Sequence, residues 1–180
     1  SVKLWSAHTL KRFSLIRRRR KSANVAANFT SKTVTPSRPP FHLQETEDSC
    51  VPACLKMVIA SFGIEISEAE LRLLCDCTFD GTGALKAVDS ARQLGFSKTA
   101  KHNLSLTELT ALTTNGQFPI VFVDLTPIEG YVQSHALVVL AVNQFSVEVF
   151  DPAKGERLIA RDVFDLAWKL RLRLAILVEK

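Results

Sequence analysis

Nowhere in its 180 residues does the chain sustain the roughly 18 to 20 consecutive apolar residues that crossing a bilayer requires, and its richest run, residues 136–142, is far too short. A membrane-spanning helix is therefore not expected. A secretory signal is missing too, because the apolar residues near the N-terminus are scattered among Lys and Arg and form no core of about 7–15 residues. Cysteine is scarce. Four residues, at positions 50, 54, 75 and 77, in a chain that is 47% hydrophobic are better suited to free thiols or ligands than to a disulfide framework. These absences point to a reducing, cytoplasmic setting and not to secretion. No internal repeat is visible.

Acid is absent from residues 1–40, which carry ten Lys or Arg, whereas residues 41–180 carry thirteen against eighteen Asp or Glu. The formal charge of +5 thus joins a strongly basic arm to an acidic remainder. Nucleic-acid binding by the folded part is not expected, because it would need basic residues spread over that part. The arm is rich in Arg and Ser and ends in a Pro-containing linker that disfavours helix. Three readings of it stay open: an organellar import segment, a polybasic arm for an anionic surface or partner, and a solvated leader without a specific role. Trp5, Leu10, Phe13 and Ile16 beside residues 17–21 form a loose apolar stripe suited to a membrane surface or a partner groove. Residues 41–180 are long enough for one domain with a single core.

Within that domain, residues 49–62 are apolar on nearly every side, the pattern of a buried helix, which Gly63 ends. Pro52 is tolerated in a first helical turn, so the helix is predicted to begin at Ser49 or Cys50. Ser67 with Glu70 is a capping box for a second helix. Residues 81–83 turn into a third, ended by Gly95, and Ser105 with Glu108 caps a short fourth. Beyond residue 118 β-branched runs take over at 119–125, 136–142 and 146–150, with Asn143 and Gln144 as a turn. A helix near 162–169 and a strand near 172–178 complete the domain. Helices first and an antiparallel sheet afterwards is an α+β order, with N-terminal helices packed on a C-terminal sheet.

A thiol at a helix N-terminus meets partial positive charge and free N–H groups, conditions that favour the nucleophilic thiolate. Cys50 is predicted to occupy that position. His135 heads a strand and is the candidate base. Asp151 follows the run 146–150, so a hairpin between the two runs returns it toward His135 as the group that orients the imidazole. The Cys50 N–H offers one oxyanion donor, and Gln44, six residues earlier, offers a side-chain amide as a second. Taken singly, each residue has a plainer reading: a core cysteine, a satisfied histidine, a turn aspartate and a loop glutamine. Their joint order favours an active site. Cys54, one turn deeper, is expected in the core. The four thiols also offer a tetrahedral zinc site, although Cys75-Asp76-Cys77 spaces its ligands too closely for the usual arrangement. His8, His42 and His102 have no motif around them and are expected on the surface.

Gln44, the run Cys50-Val51-Pro52-Ala53-Cys54-Leu55, His135 with Val138-Val139-Leu140, and Asp151-Pro152-Ala153-Lys154-Gly155 resemble the bacteriocin-processing cysteine peptidases. The resemblance spans about residues 42–180, including the turn at 81–83 and Leu94-Gly95-Phe96. It implies a papain-like fold and removal of leader peptides after a double glycine, usually by the N-terminal domain of an ABC exporter. It also implies that Cys50 is the nucleophile, His135 the base, Asp151 the orienting acid and Gln44 the oxyanion donor. Val51 departs from the glycine that many members carry after the nucleophile. The sequence ends without exporter helices or an ATPase, so a stand-alone peptidase-like protein is expected. The leading expectation is a thiol protease that needs no cofactor or metal and acts on a peptide or protein substrate. A peptide-binding module without turnover and a zinc-stabilised interaction domain are the alternatives.

Overall fold

The computed structural model describes residues 36–180. His8 and the stripe from Trp5 to Ile16 lie outside them. The described chain contains six helices and one six-stranded sheet. Helix α1 spans Cys50–Ala60 and is apolar except at Lys56, and eight of its residues, Val51 to Leu55 and Met57 to Ile59, are buried. Helices α2 (Glu68–Leu74) and α4 (Leu106–Thr114) each open on the predicted capping box. In α2 the Ser67 hydroxyl accepts the Glu70 N–H at 3.2 Å while the Glu70 carboxylate accepts the Ser67 N–H at 3.1 Å. Helix α3 (Ala84–Gln93) starts after Gly83, as the glycine-flanked turn suggested.

The strands are β1 (Ala100–Asn103), β2 (Ile120–Asp124), β3 (Ser134–Val142), β4 (Ser146–Asp151), β5 (Gly155–Ala160) and β6 (Leu174–Leu177). They pair in the order β1-β6-β2-β3-β4-β5, antiparallel throughout. Both faces of the sheet are covered. Ile120 and Phe122 of β2, with Ala136, Val138 and Leu140 of β3, join the core built by α1, α2 and α3. The alternating residues Val121, Val123, Leu137 and Val139 join a second core with Leu109 of α4 and Phe164, Ala167 and Trp168 of α6 (Arg161–Lys169). The helices that follow α3 thus form a second layer, because β2 and β3 are apolar on both faces and must be covered twice.

Two strands and one helix lacked a readable signal. β1, with the sequence AKHN, has no β-branched residue, and β5, with the sequence GERLIA, opens like a continuation of the preceding turn. The four-residue helix α5 (Thr126–Glu129) is too short to show a period. The last strand is shorter than predicted, since Leu172 and Arg173 take φ of 56° and 50° and form a turn before it.

Residues 36–44 form no regular element, residues 45–48 turn into the start of α1, and contacts along this segment fix it to the domain. Ser37 donates its backbone N–H to the Ser61 carbonyl at 3.1 Å. Arg38 pairs with Glu148 at 2.8 Å and Glu156 at 2.9 Å and lies over the Phe150 ring. Phe41 meets that ring edge-on. His42 is half-buried, not on the open surface, because Nε2 contacts the fully buried Glu68 carboxylate at 2.7 Å. The same carboxylate accepts the Glu45 N–H at 3.0 and 3.1 Å. His102 is half-buried as well, on β1.

Candidate active site

Cys50 is the first residue of α1, where the sequence places it. Ser49 precedes it without capping the helix through its side chain. Its hydroxyl turns back instead, donating to the Thr46 carbonyl at 2.9 Å and accepting the Thr46 N–H at 3.1 Å. Pro52 has no N–H, and the first N–H of the helix to find a backbone carbonyl is that of Ala53, on Ser49, at 2.9 Å. Among the described residues no backbone partner takes the N–H of Cys50 or Val51. The start of α1 therefore offers donors, next to the thiol, that no capping side chain has claimed.

His135 is the second residue of β3 and is buried to 7% exposure, and Asp151 closes β4 at 1%. The His135 Nε2 and the Asp151 Oδ1 are 2.8 Å apart. With Nε2 engaged there, Nδ1 is the ring nitrogen left for the nearby Cys50 thiol, which favours the imidazolium. Burial opposes the imidazolium most strongly. The hydrogen bond to Asp151 and the influence of Asp151 and Cys50 outweigh it and raise His135 to about 9. Burial likewise opposes the Asp151 carboxylate, but hydrogen bonds from His135, Arg157 and the Ala153 N–H, with the imidazolium charge, bring it down to about 2. An ionised carboxylate thus faces a ring that readily holds a proton.

A β-bulge sets this alignment. Val142 lies opposite Val147 and Ala141 opposite Glu148, but after Leu140 the register shifts by one, so Val139 faces Val149 and Val138 faces Phe150. Continued one step, this register sets Asp151 opposite Leu137 and on the same side of the sheet as residue 135. Without the bulge Asp151 would share the side of Ala136 and Val138. The shift lies in residues that read as an unbroken apolar run, so no sequence signal marks it.

Gln44 reaches the same region by its backbone, its N–H donating to the Pro152 carbonyl at 2.8 Å, one residue beyond Asp151. Its side-chain Nε2 donates to the carbonyls of Thr46 at 2.8 Å and Glu47 at 3.0 Å, inside the loop that leads to Cys50. The amide therefore shapes this loop, and its donors are turned to loop carbonyls. Cys54 is buried, and burial, with the nearby charges of Cys50, Asp151 and Glu68, pushes its thiol well up. All four cysteines are free, and no three of them bring their sulfurs within 4.8 Å of one another. The zinc reading has no convergent thiol cluster among the described residues.

The profile of the peptidase C39 family matches residues 38–180. This chain belongs to the peptidase C39 family. It is 34% identical over 131 residues to the transport/processing ATP-binding protein ComA of Streptococcus pneumoniae, an alignment that covers 71% of this chain and 17% of that protein. The chain thus spans about one sixth of the length of that relative. The peptidase domain of Streptococcus ComA, described as a bi-functional ABC transporter in a quorum-sensing pathway, superposes with a TM-score of 0.66 at 28% identity, covering 77% of this chain and 97% of that domain. A double-glycine-motif protease from an AMS/PCAT transporter, solved with its leader peptide, shares the fold with a TM-score of 0.64 at 20% identity, covering 80% and 93%. The C39 domain is thus α+β and papain-like, and the family resemblance rests on most of the described chain. Among the described residues no helix is long and apolar enough to cross a membrane.

Proposed function

We propose that this C39 domain is a cysteine peptidase in which Cys50 attacks a peptide carbonyl, His135 carries the proton and Asp151 orients the imidazole. The observation that carries the reading is the His135–Asp151 contact of 2.8 Å, which leaves the other ring nitrogen for Cys50 at an uncapped helix N-terminus. His135 takes the thiol proton, and the thiolate sulfur bonds to the carbonyl carbon. The oxyanion is received by the Cys50 N–H. His135 then passes the proton to the departing amine, and water cleaves the thioester. Gln44 supplies the second oxyanion donor once its amide releases one loop carbonyl. The substrate class is a leader-type peptide cut after a double glycine, a specificity supported by the relatives' processing role.

The test is incubation of the full chain with synthetic peptides containing a double glycine, read by mass spectrometry, beside labelling with a thiol-reactive peptide electrophile. The parent and Cys54→Ala are expected to cut and to label at residue 50, and Cys50→Ala to do neither. Labelling without cleavage of any double-glycine peptide would replace the enzyme with a peptide-binding module. Equal labelling of Cys50 and Cys54 in folded protein would remove the nucleophile assignment.

A further inference from the structure

Asp151 has a second side that the proposed chemistry does not use. Oδ1 accepts from His135 at 2.8 Å and from the Ala153 N–H at 3.0 Å, whereas Oδ2 is gripped at 2.9 Å by Nη1 of Arg157 on β5. Arg157 stands opposite Val149, two residues from Asp151 along β4, and so lies on the same side of the sheet. Gly155, directly opposite Asp151, has no side chain to reach it. The same Nη1 also lies 2.8 Å from Glu129 Oε1, a charge contact without hydrogen-bond geometry, and Lys154 pairs with Glu129 Oε2 at 2.6 Å. The Glu129 side chain is only 16% exposed, so this second carboxylate is no loose surface partner. A row His135, Asp151, Arg157, Glu129 and Lys154 therefore crosses β3, β4, β5, α5 and the turn before β5.

We infer that Arg157, braced by Glu129, is a positioning residue that fixes the plane of the Asp151 carboxylate so that Oδ1 stays aimed at His135. This inference rests on the reading of Cys50, His135 and Asp151 as one site. Without Arg157 both remaining donors, His135 and the Ala153 N–H, sit on Oδ1 and Oδ2 has no partner, so the carboxylate can turn about its terminal bond, and a turned carboxylate gives a poorer hydrogen bond to the ring. A cation on the opposite oxygen removes that freedom. The cation also opposes the imidazolium through space, so position and charge act on His135 in opposite senses and can be told apart. The groups facing His135 are Cys50 from α1 and Asp151 from β4, with Arg157 and Glu129 acting behind Asp151.

The experiment follows the His135 ring by NMR in full-length protein with labelled histidine, assigned by comparison with His135→Gln, together with thermal unfolding. Arg157→Gln is expected to lower the His135 titration by about one pH unit or more, because the hydrogen bond from a turned Asp151 weakens. Arg157→Lys, which retains a cation for Oδ2, should recover most of that shift. Glu129→Gln should move His135 the same way by less. A His135 titration that is unmoved or raised in folded Arg157→Gln overturns the positioning role, since a charge effect alone raises it and a purely structural role moves only the melting temperature. If Arg157→Gln does not fold, Arg157→Met, which also removes the cation but keeps an unbranched apolar stem, decides by the same criterion: a lowered His135 titration supports the role and an unmoved or raised one overturns it. Cys50→Ala serves as the separate control. If it leaves His135 unmoved, the pairing of Cys50 with His135 fails, whatever the arginine does.

Discussion

Asp151 shows how much one side chain does when it is nearly sealed from water. Its two oxygens receive three donors besides any solvent, from His135, Ala153 and Arg157, so a neutral amide in its place would both lose charge and offer an N–H where a donor already points. Asp151→Asn is therefore expected to lower peptide cleavage by roughly 10²- to 10⁴-fold, the span of a lost acid–base function, while secondary structure measured by circular dichroism is retained. Gln44 works by position as well as by chemistry. Gln44→Ala should lower turnover about 10²- to 10³-fold if its amide reaches the oxyanion. It also removes two bonds that shape the Cys50 loop, so the comparison variant is Gln44→Glu, which retains size without a donor. Equal turnover of Gln44→Ala and parent would exclude the donor role. Gln44, Cys50, His135 and Asp151 stood out as candidates in the sequence only through their joint order, because singly each has a plainer reading. Arg157 was not, because an arginine in a short polar strand looks like any solvated cation.

Among the elements, the two capping boxes were readable in advance because both halves of each motif are local, three residues apart, and need no partner from elsewhere. Ser67→Ala removes the hydroxyl that accepts the Glu70 N–H and should cost about 1 kcal/mol of unfolding free energy in denaturant titration. No change would mean that tertiary packing of α2 alone holds its first turn. The strand edges were harder. β1 and β5 border the sheet, where one side of the backbone is unpaired and apolar patterning is weakest, and their existence depends on β6 and β4 presenting a ladder. The bulge at Leu140 is of the same kind, since it depends on how two strands fit together. Gly155, whose φ of 103° favours glycine, starts β5 and so delivers Arg157 to its place. Gly155→Ala should destabilise the turn through backbone strain.

For the molecule as a whole, the His135–Asp151 pair ties stability to pH. His135 is raised from 6.5 to about 9, so folding takes up a proton between these values, and the contribution is full below 6.5 and lost as pH rises through about 9. Asp151 is lowered from 3.8 to about 2, so its contribution is present above 3.8 and lost as pH falls through about 2. The pair thus supports the fold fully between 3.8 and 6.5. Denaturation midpoints of the full chain should fall between pH 6.5 and 9, and His135→Gln should flatten that decline. An equal slope in parent and variant would assign the dependence to other groups. The arm remains a proposal: residues 36–40 are fastened to the domain by Ser37 and Arg38, so removal of residues 1–35 is the truncation expected to leave the fold and intrinsic cleavage intact. A truncated chain that fails to melt cooperatively would place part of the arm in the core.

The sequence by itself determined the buried helix, its start at Ser49 or Cys50, both capping boxes and the central strands, and it nominated the candidate residues, because hydrophobic period, capping and side-chain chemistry are local properties. The tertiary structure decided the rest. The one-residue shift beside Leu140 chose which side of the sheet Asp151 occupies, the backbone bond from Gln44 to Pro152 joined the approach to Cys50 with the Asp151 turn, and Glu129 met Arg157 across two elements. Each of these depends on the fit of segments distant in the chain, which no local pattern encodes.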